Sequence, residues 1–322
     1  MNNNIFIRSF TTVIPDKRVS AEKIYYEQAG SQSDDVRQAF MKFSKETHID
    51  SVAVFDDDTE FGRAVMTAVK TATDNAGISL DSIKYIIFGN EHLNNINGCS
   101  PIHATKTLLN AKSARILPVM HPCAAFLSAL ELSGKLLGSE KEENILYITG
   151  CRWKSSKERF IGFSMRGDGA GAAVISNTGG IFRVNGCNTR YLNNSPVDIN
   201  GERISDPNVC RFNLIRNGAD FINESLSRNN ITADDIARII QPNAGHRVFS
   251  ELYPHFGDIS PEKFYLDNIS DGGHICDMDI LRNLAVYCDE QKLESGDMLL
   301  LYTPDVEQSF DINYYSALIE KI

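Results

Sequence analysis

Ile78-Ser79-Leu80-Asp81-Ser82-Ile83-Lys84-Tyr85-Ile86-Ile87-Phe88-Gly89-Asn90 returns, with every number raised by 153, as Ile231-Thr232-Ala233-Asp234-Asp235-Ile236-Ala237-Arg238-Ile239-Ile240-Gln241-Pro242-Asn243. The isoleucines at 78, 83, 86 and 87, Asp81 and Asn90 are all matched by the same residue type. The same offset lays His121-Pro122-Cys123 on His274-Ile275-Cys276, and an offset of 154 lays Ile145-Leu146-Tyr147-Ile148-Thr149 on Leu299-Leu300-Leu301-Tyr302-Thr303. A helix end, a strand, a cysteine-bearing segment and a closing strand thus recur in one order, and the chain is expected to be one duplicated unit. Two similar halves pack about a pseudo-twofold axis, and a site on that axis draws on both.

A chain of 322 residues with 42% hydrophobic content can bury a large core. No apolar run approaches the ~20 residues that span a bilayer. Met1-Asn2-Asn3-Asn4 before the short Ile5-Phe6-Ile7 run lacks the organisation of a signal peptide, so a cytoplasmic protein with no membrane partner is expected. The seven cysteines show neither CxxC nor Cys/His zinc spacing, which predicts reduced thiols and no metal site. A net charge of −10 argues against a nucleic-acid partner, because phosphate neutralisation needs clustered cations.

Phe61, Ala64, Val65, Ala68, Val69 and Ala72 at helical spacing predict a helix over 60–76, stopped by Asn75-Ala76-Gly77. Ile83 to Phe88 reads as a buried strand, 103–111 as a helix, 116–120 as a strand, 123–137 as a long helix and 145–149 as a strand. Such alternation implies a mostly parallel sheet with helices on its faces. Gly167-Asp168-Gly169-Ala170-Gly171-Ala172 precedes a strand, whereas a dinucleotide fingerprint follows one and opens a helix. Gly167, Asp168, Gly169 and Gly171 are therefore read as a structural turn whose small residues allow close backbone approach. Residues 177–208, rich in Asn, Gly and Asp, read as loops and short strands joining a first half, 1–178, to a second, 179–322. The second half repeats the scheme with helices near 212–226, 245–252 and 275–288 and strands at 237–240, 298–303 and 314–320.

Cys123 follows a strand, a His and a Pro and is expected to open a helix. A thiol there meets the positive end of the macrodipole and unpaired N–H groups, which favour thiolate, the form a nucleophile needs. Position alone leaves open a cysteine that packs as a small hydrophobe.

The succession HPCAAFLSAL from His121, RGDGAGAAVIS from Arg166, IIQPNAGHRVF from Ile239 and GGHICDMDILRNL from Gly272 resembles the β-ketoacyl-acyl-carrier-protein synthase III branch of the thiolase superfamily. The likeness spans essentially the whole chain, and GDGAGA at its distance after the cysteine is its most specific element. It implies an α/β thiolase fold of duplicated five-layer α-β-α-β-α form, a homodimer and an acyl chain carried on Cys123. The donor it implies is a phosphopantetheine thioester, on acyl carrier protein or coenzyme A, with no permanently bound cofactor.

Enzymes of that branch pair the cysteine with a His in a His-Gln-Ala-Asn stretch and an Asn in a Gly-Asn-Thr-Ser stretch. Here Asn243 best matches that His, and His274 stands where the Asn is expected, so imidazole and amide are exchanged. His274 would be the base, facing the thiol from the other half. Asp279, five residues on, could orient the imidazole, although five is imperfect helical spacing. His246 is the alternative base. The branch's glycine-rich loop, which offers a backbone N–H to the oxyanion, is replaced by Thr303-Pro304-Asp305-Val306-Glu307. The N–H groups of Cys123 and Val306 are the expected donors there, and an acidic pair beside an oxyanion would oppose it. Lys42 to Ile49 lacks the branch's adenine-clamping Trp and has Glu46 in place of its Arg. Trp153 and Arg159, within the basic stretch Arg152, Trp153, Lys154, Lys157, Arg159 and Arg166, form a candidate donor-binding area, whose alternative is a solvated loop.

Three functions are expected to compete. One is acyl transfer from a carrier thioester through acyl-Cys123 to a small acceptor in specialised biosynthesis; another is decarboxylative condensation with a malonyl thioester. The third is a non-catalytic subunit supporting an active paralogue.

Overall fold

The computed structural model describes residues 4–89, 105–107, 109–192, 207–257, 259–306 and 312–322, and of 207–214 only the helical backbone. Its strands are β1 (Ile5–Val13), β2 (Arg18–Ser20), β3 (Ser51–Ala53), β4 (Ile83–Phe88), β5 (Arg115–Pro118), β6 (Asn144–Cys151), β7 (Gly169–Ser176), β8 (Phe182–Leu192), β9 (Ile236–Ile240), β10 (Met298–Val306) and β11 (Ile312–Lys321). The helices are α1 (Ala21–Ala29), α2 (Asp34–Thr47), α3 (Asp58–Ala76), α4 (Ala125–Leu136), α5 (Ser156–Arg159), α6 (Pro207–Arg228), α7 (His246–Leu252) and α8 (Met278–Glu290).

The large sheet runs β5-β4-β6-β7-β1-β8-β11-β10-β9. Outward from its centre, one arm reads β1, β7, β6, β4, β5 and the other β8, β11, β10, β9, and the strand directions match step for step. β4 with β6 and β9 with β10 are parallel, while β6 with β7, β10 with β11, β1 with β7 and β8 with β11 are antiparallel. The arms meet where β1 pairs β8 over Ile5 to Ile7. The duplication seen in the sequence is thus a duplication of topology.

Alternation along the strands builds the layers, since successive side chains point to opposite faces. Ile145, Tyr147, Leu299 and Leu301 share one core with Phe126, Leu127 and Leu130 of α4 and Ile280, Leu281 and Leu284 of α8. Leu146 and Ile148 face Phe61, Val65 and Val69 of α3. Leu300 and Tyr302 face Phe221 and Ile222 of α6. The order is α3, first arm, α4 with α8, second arm, α6: five layers, with both central helices shared by the two halves. At about 1.5–3 kcal/mol per fully buried large apolar side chain, that shared layer joins the halves strongly.

Local signals explain several boundaries. The Asp57 side chain accepts from the Glu60 N–H to cap α3, and Gly77, at φ 59°, ends it in the left-handed conformation glycine favours. Other boundaries differ from expectation. α4 begins at Ala125 and α8 at Met278, so Cys123 and His274 lie in the turns before these helices rather than in their first turns. Gly169 and Gly171 belong to β7, not to a turn, and only Gly167 and Asp168 precede the strand. A Cβ on Gly167 would lie 1.8 Å from the Gly272 carbonyl oxygen, while those on Gly169 and Gly171 would press on Met278. The loop-like 177–208 stretch contains the eleven-residue strand β8, whose Asn and Gly are accommodated because β11 pairs it along nearly its whole length. β10 runs on through Thr303 to Val306, paired to Ile312, so those residues are strand and not loop. Of the helix expected at 103–111, Thr105 to Thr107 are helical; residues 103, 104 and 108 lie outside the described residues, as do Asn90 and Glu307.

Candidate active site

The turns before α4 and α8 meet at the seam between the halves. The Asp277 N–H donates to the Pro122 carbonyl at 2.9 Å, tying one turn to the other. Below it the fully buried Asp277 carboxyl accepts from Tyr147 Oη and, at 2.8 Å, from Thr149 Oγ1, both on β6. Burial pushes the Asp277 carboxyl well above the usual carboxylate range. The GDG segment braces the other side: Gly167 N–H donates to the His274 carbonyl at 2.9 Å, and His274 N–H to the Met165 carbonyl at 2.7 Å.

So held, Cys123 Sγ lies 3.6 Å from Nε2 of His274, and His274 Nδ1 lies 2.5 Å from Oδ2 of Asp279. Asp279 is fully buried and accepts two further bonds at 2.8 Å, from the N–H groups of Ile275 and Asn243. An imidazole with Nδ1 on a carboxylate carries its proton there, which leaves Nε2 as the acceptor for the thiol. The five-residue spacing from His274 to Asp279 works because His274 precedes the helix: the chain folds back through Cys276, at φ 51°, before α8 begins.

Asn243 enters the same network. Its N–H is on Asp279, its Oδ1 accepts from Asn283 Nδ2 at 2.9 Å, and its Nδ2 is buried without a partner among the described residues. An orphaned buried amide donor costs about 1–3 kcal/mol unless something fills it.

The electrostatics reverse one expectation. Burial, then the carboxylate of Asp305, with smaller contributions from Cys276, Asp279 and Asp277, hold the Cys123 thiol well above its ordinary pKa. Proximity to a helix start does not outweigh burial and these neighbouring groups, which favour the thiol over the thiolate. For His274, burial lowers the pKa, but the charge of Asp279 and its hydrogen bond outweigh it, and the imidazole titrates above its usual 6.5.

Other candidates move away from the sulfur. The Cys123 N–H donates to Asp305 Oδ1 at 2.8 Å, so that expected oxyanion donor is occupied by a fully buried carboxylate. Val306 is the last residue of β10 and stands opposite Ile312 in the β10–β11 ladder. His246, the alternative base, stacks on His48 with ring centroids 4.5 Å apart, and burial lowers its pKa. Arg159 cannot serve a donor: its two terminal nitrogens each bond Asp168 at 2.9 Å and also take the carbonyls of Arg166 and Trp153. Asp168 is thereby a buried structural anchor, also holding the N–H groups of Phe55 and Trp153. The Trp153 ring lies under the Arg166 guanidinium at 4.1 Å. Glu46 is paired with Arg247. Among the described residues no cluster of three His, Cys, Asp or Glu could hold a metal, and no helix is long and apolar enough to cross a membrane.

Sequence reasoning did not single out His121, whose Nδ1 lies 3.3 Å from Asp305 Oδ2, or Asp277. The internal repeat was the available signal for His121, since it stands opposite His274.

No protein-family model matches the sequence, nor does any curated protein sequence. Solved structures do match over the whole length. ChlB3, described as an acyltransferase, is 17% identical at a TM-score of 0.79, covering 99% of this chain and 98% of its own. The 3-oxoacyl-[acyl-carrier-protein] synthase III of Aquifex aeolicus is 18% identical at 0.77, covering 98% and 99%. Cerulenin-bound OleA of Xanthomonas is 15% identical at 0.79, covering 98% of both. The chain accordingly has the duplicated thiolase fold that these synthase III-like structures share.

Proposed function

We propose that the protein is an acyltransferase that carries its acyl group on Cys123. The observation that carries this reading is the line from Cys123 Sγ through His274 to Asp279, at 3.6 and 2.5 Å. A thiol held above its ordinary pKa is a poor nucleophile unless a base takes its proton during attack, and Nε2 of His274 is placed to do so. Sγ adds to the thioester carbonyl as its proton passes to Nε2. When the donor carbon–sulfur bond breaks, the proton goes to the departing thiolate, which leaves as a thiol. Asp279 fixes the tautomer and favours the imidazolium formed in between. The unpartnered Nδ2 of Asn243 is the amide donor available to the thioester oxygen, in place of the Cys123 N–H that Asp305 holds. The donor is a phosphopantetheine thioester, on coenzyme A or an acyl carrier protein, and the acceptor a small protic molecule. Each chain comprises halves 1–178 and 179–322, and two such chains assemble as a homodimer. The acyltransferase description of ChlB3 and the synthase III and OleA likenesses agree with acyl transfer or condensation chemistry.

Intact-protein mass spectrometry after exposure to a panel of acyl-coenzyme A and acyl-carrier-protein thioesters tests this. One acyl mass should appear on the wild type and none on Cys123→Ala; equal labelling of the two contradicts it. Carbon dioxide release from a malonyl thioester would mark condensation instead. The occupied Cys123 N–H favours one second reading, a non-catalytic partner of an active paralogue, which predicts no acyl mass with any donor.

A further inference from the structure

The site holds a second imidazole–carboxylate pair. The repeat lays His121 on His274, yet the two rings serve different partners. His274 is enclosed, 8% exposed, with one nitrogen on Asp279 and the other on the sulfur. His121 is 29% exposed and sets Nδ1 against Oδ2 of the fully buried Asp305. The other oxygen of that carboxylate takes the N–H of Cys123 at 2.8 Å, so one carboxylate ties the second imidazole to the peptide of the nucleophile. Tyr315 Oη lies 3.4 Å from Nδ1 and 3.5 Å from Nε2, and the two rings pack with centroids 5.3 Å apart, which fixes the plane of the imidazole. With its Nδ1 proton on Asp305, His121 presents an Nε2 lone pair that no carboxylate among the described residues holds.

Resting on the acyl-Cys123 reading, we propose that His121, oriented by Asp305, is the base that deprotonates the acyl acceptor, an alcohol, an amine or water. His274 attends the sulfur from the buried side and His121 the acyl carbon from the open side. In the second half-reaction the acceptor's proton passes to Nε2 of His121, and the electron pair released on its heteroatom forms the new bond to the acyl carbon. The carbon–sulfur bond breaks with its pair returning to Sγ. His121 gives its proton to solvent, and the sulfur recovers one from water through His274, which leaves both imidazoles neutral and the thiol restored.

The test separates the half-reactions. Wild type, His121→Gln and His121→Ala are loaded from acetyl-coenzyme A and freed of donor, and loss of the acetyl mass from Cys123 is followed in buffer and with ethanolamine. In His121→Gln, release should slow about a hundredfold more than loading does. Added imidazole should restore release in His121→Ala, while hydroxylamine, a nucleophile that needs no base, should strip all three alike. Release from His121→Gln at the wild-type rate would overturn the proposal. So would an equal fall in loading and release without imidazole rescue, which is what a merely structural residue would give. A wild type that takes up no acyl mass from acetyl-coenzyme A or any other thioester of the panel would instead sink the acyltransferase reading on which this one rests.

Discussion

The turn His121-Pro122-Cys123 and its repeat His274-Ile275-Cys276 each end two residues before a central helix, yet they carry different chemistry. Cys123 meets an imidazole across the seam, whereas Cys276 meets the buried thiol of Cys151, whose hydrogen bond lowers the Cys276 pKa. Two substitutions account for the divergence. Asp279 stands where the first half has Phe126, and Asp305 where it has Cys151. The first gives His274 its carboxylate from the helix that its own turn leads into, and the second gives His121 one from the opposite half. A duplicated backbone thus fixes where a thiol and an imidazole stand, and single carboxylates decide what each can do.

The contrast breaks most sharply at the cysteines. Cys123→Ala should abolish acyl labelling, while Cys276→Ala, at the equivalent position, should label within about twofold of wild type; a loss with both variants would mean that labelling reports the fold and not the nucleophile. Next comes Asp279→Asn, which removes the group fixing the tautomer and should slow loading on the order of a hundredfold or more, read as initial rates of acyl mass gain. Its pH dependence carries a sign. His274 titrates above 6.5 because Asp279 outweighs burial, so wild-type loading should rise with pH through that raised value. In Asp279→Asn burial is no longer outweighed by that carboxylate, and the rise should move to lower pH. The same linkage acts on stability: the pair's contribution is fully present below 6.5 and is lost as pH climbs through the raised value. The melting-temperature gap between wild type and Asp279→Asn should therefore narrow as pH rises.

Asp305→Asn is expected to act more gently and in the other direction on the thiol. The Asp305 charge is the second cause, after burial, of the raised Cys123 pKa, so alkylation of Cys123 by iodoacetamide at fixed mildly alkaline pH should quicken several-fold, in keeping with about a tenfold change per pKa unit. An unchanged rate would show that the Asp305 charge does not help to set the pKa. The smallest effect belongs to His246→Ala, whose ring stacks on His48; its loading rate should stay within about twofold of wild type.

Much of the fold was legible because it rests on short-range alternation. Ile83 to Phe88 is apolar on both faces and too short for a buried helix, and it forms β4 at the expected bounds. The 153-residue repeat reappears in the strand order of the two arms. Strand β8 was not legible, since its Asn, Gly and Arg residues look like loop and only its pairing with β11 makes it a strand. At the site, the sequence could set His274 opposite Cys123, because that follows from the repeat. It could not show that Asp305 turns onto the Cys123 N–H, which depends on how β10 continues beyond Thr303 in register with β11. Nor could it show that Arg159 is spent on Asp168, because both flank a fold-back that brings them together only in space.

The most direct test of the central claim, that a thiol of one half is activated by an imidazole of the other, is peptide-mapped loading from acetyl-coenzyme A in wild type and His274→Asn. Acetyl mass confined to the Cys123 peptide, gained on the order of a hundredfold more slowly in His274→Asn, is the predicted result. Acetyl mass on Cys276, or a His274→Asn variant that loads Cys123 at the wild-type rate, would contradict it.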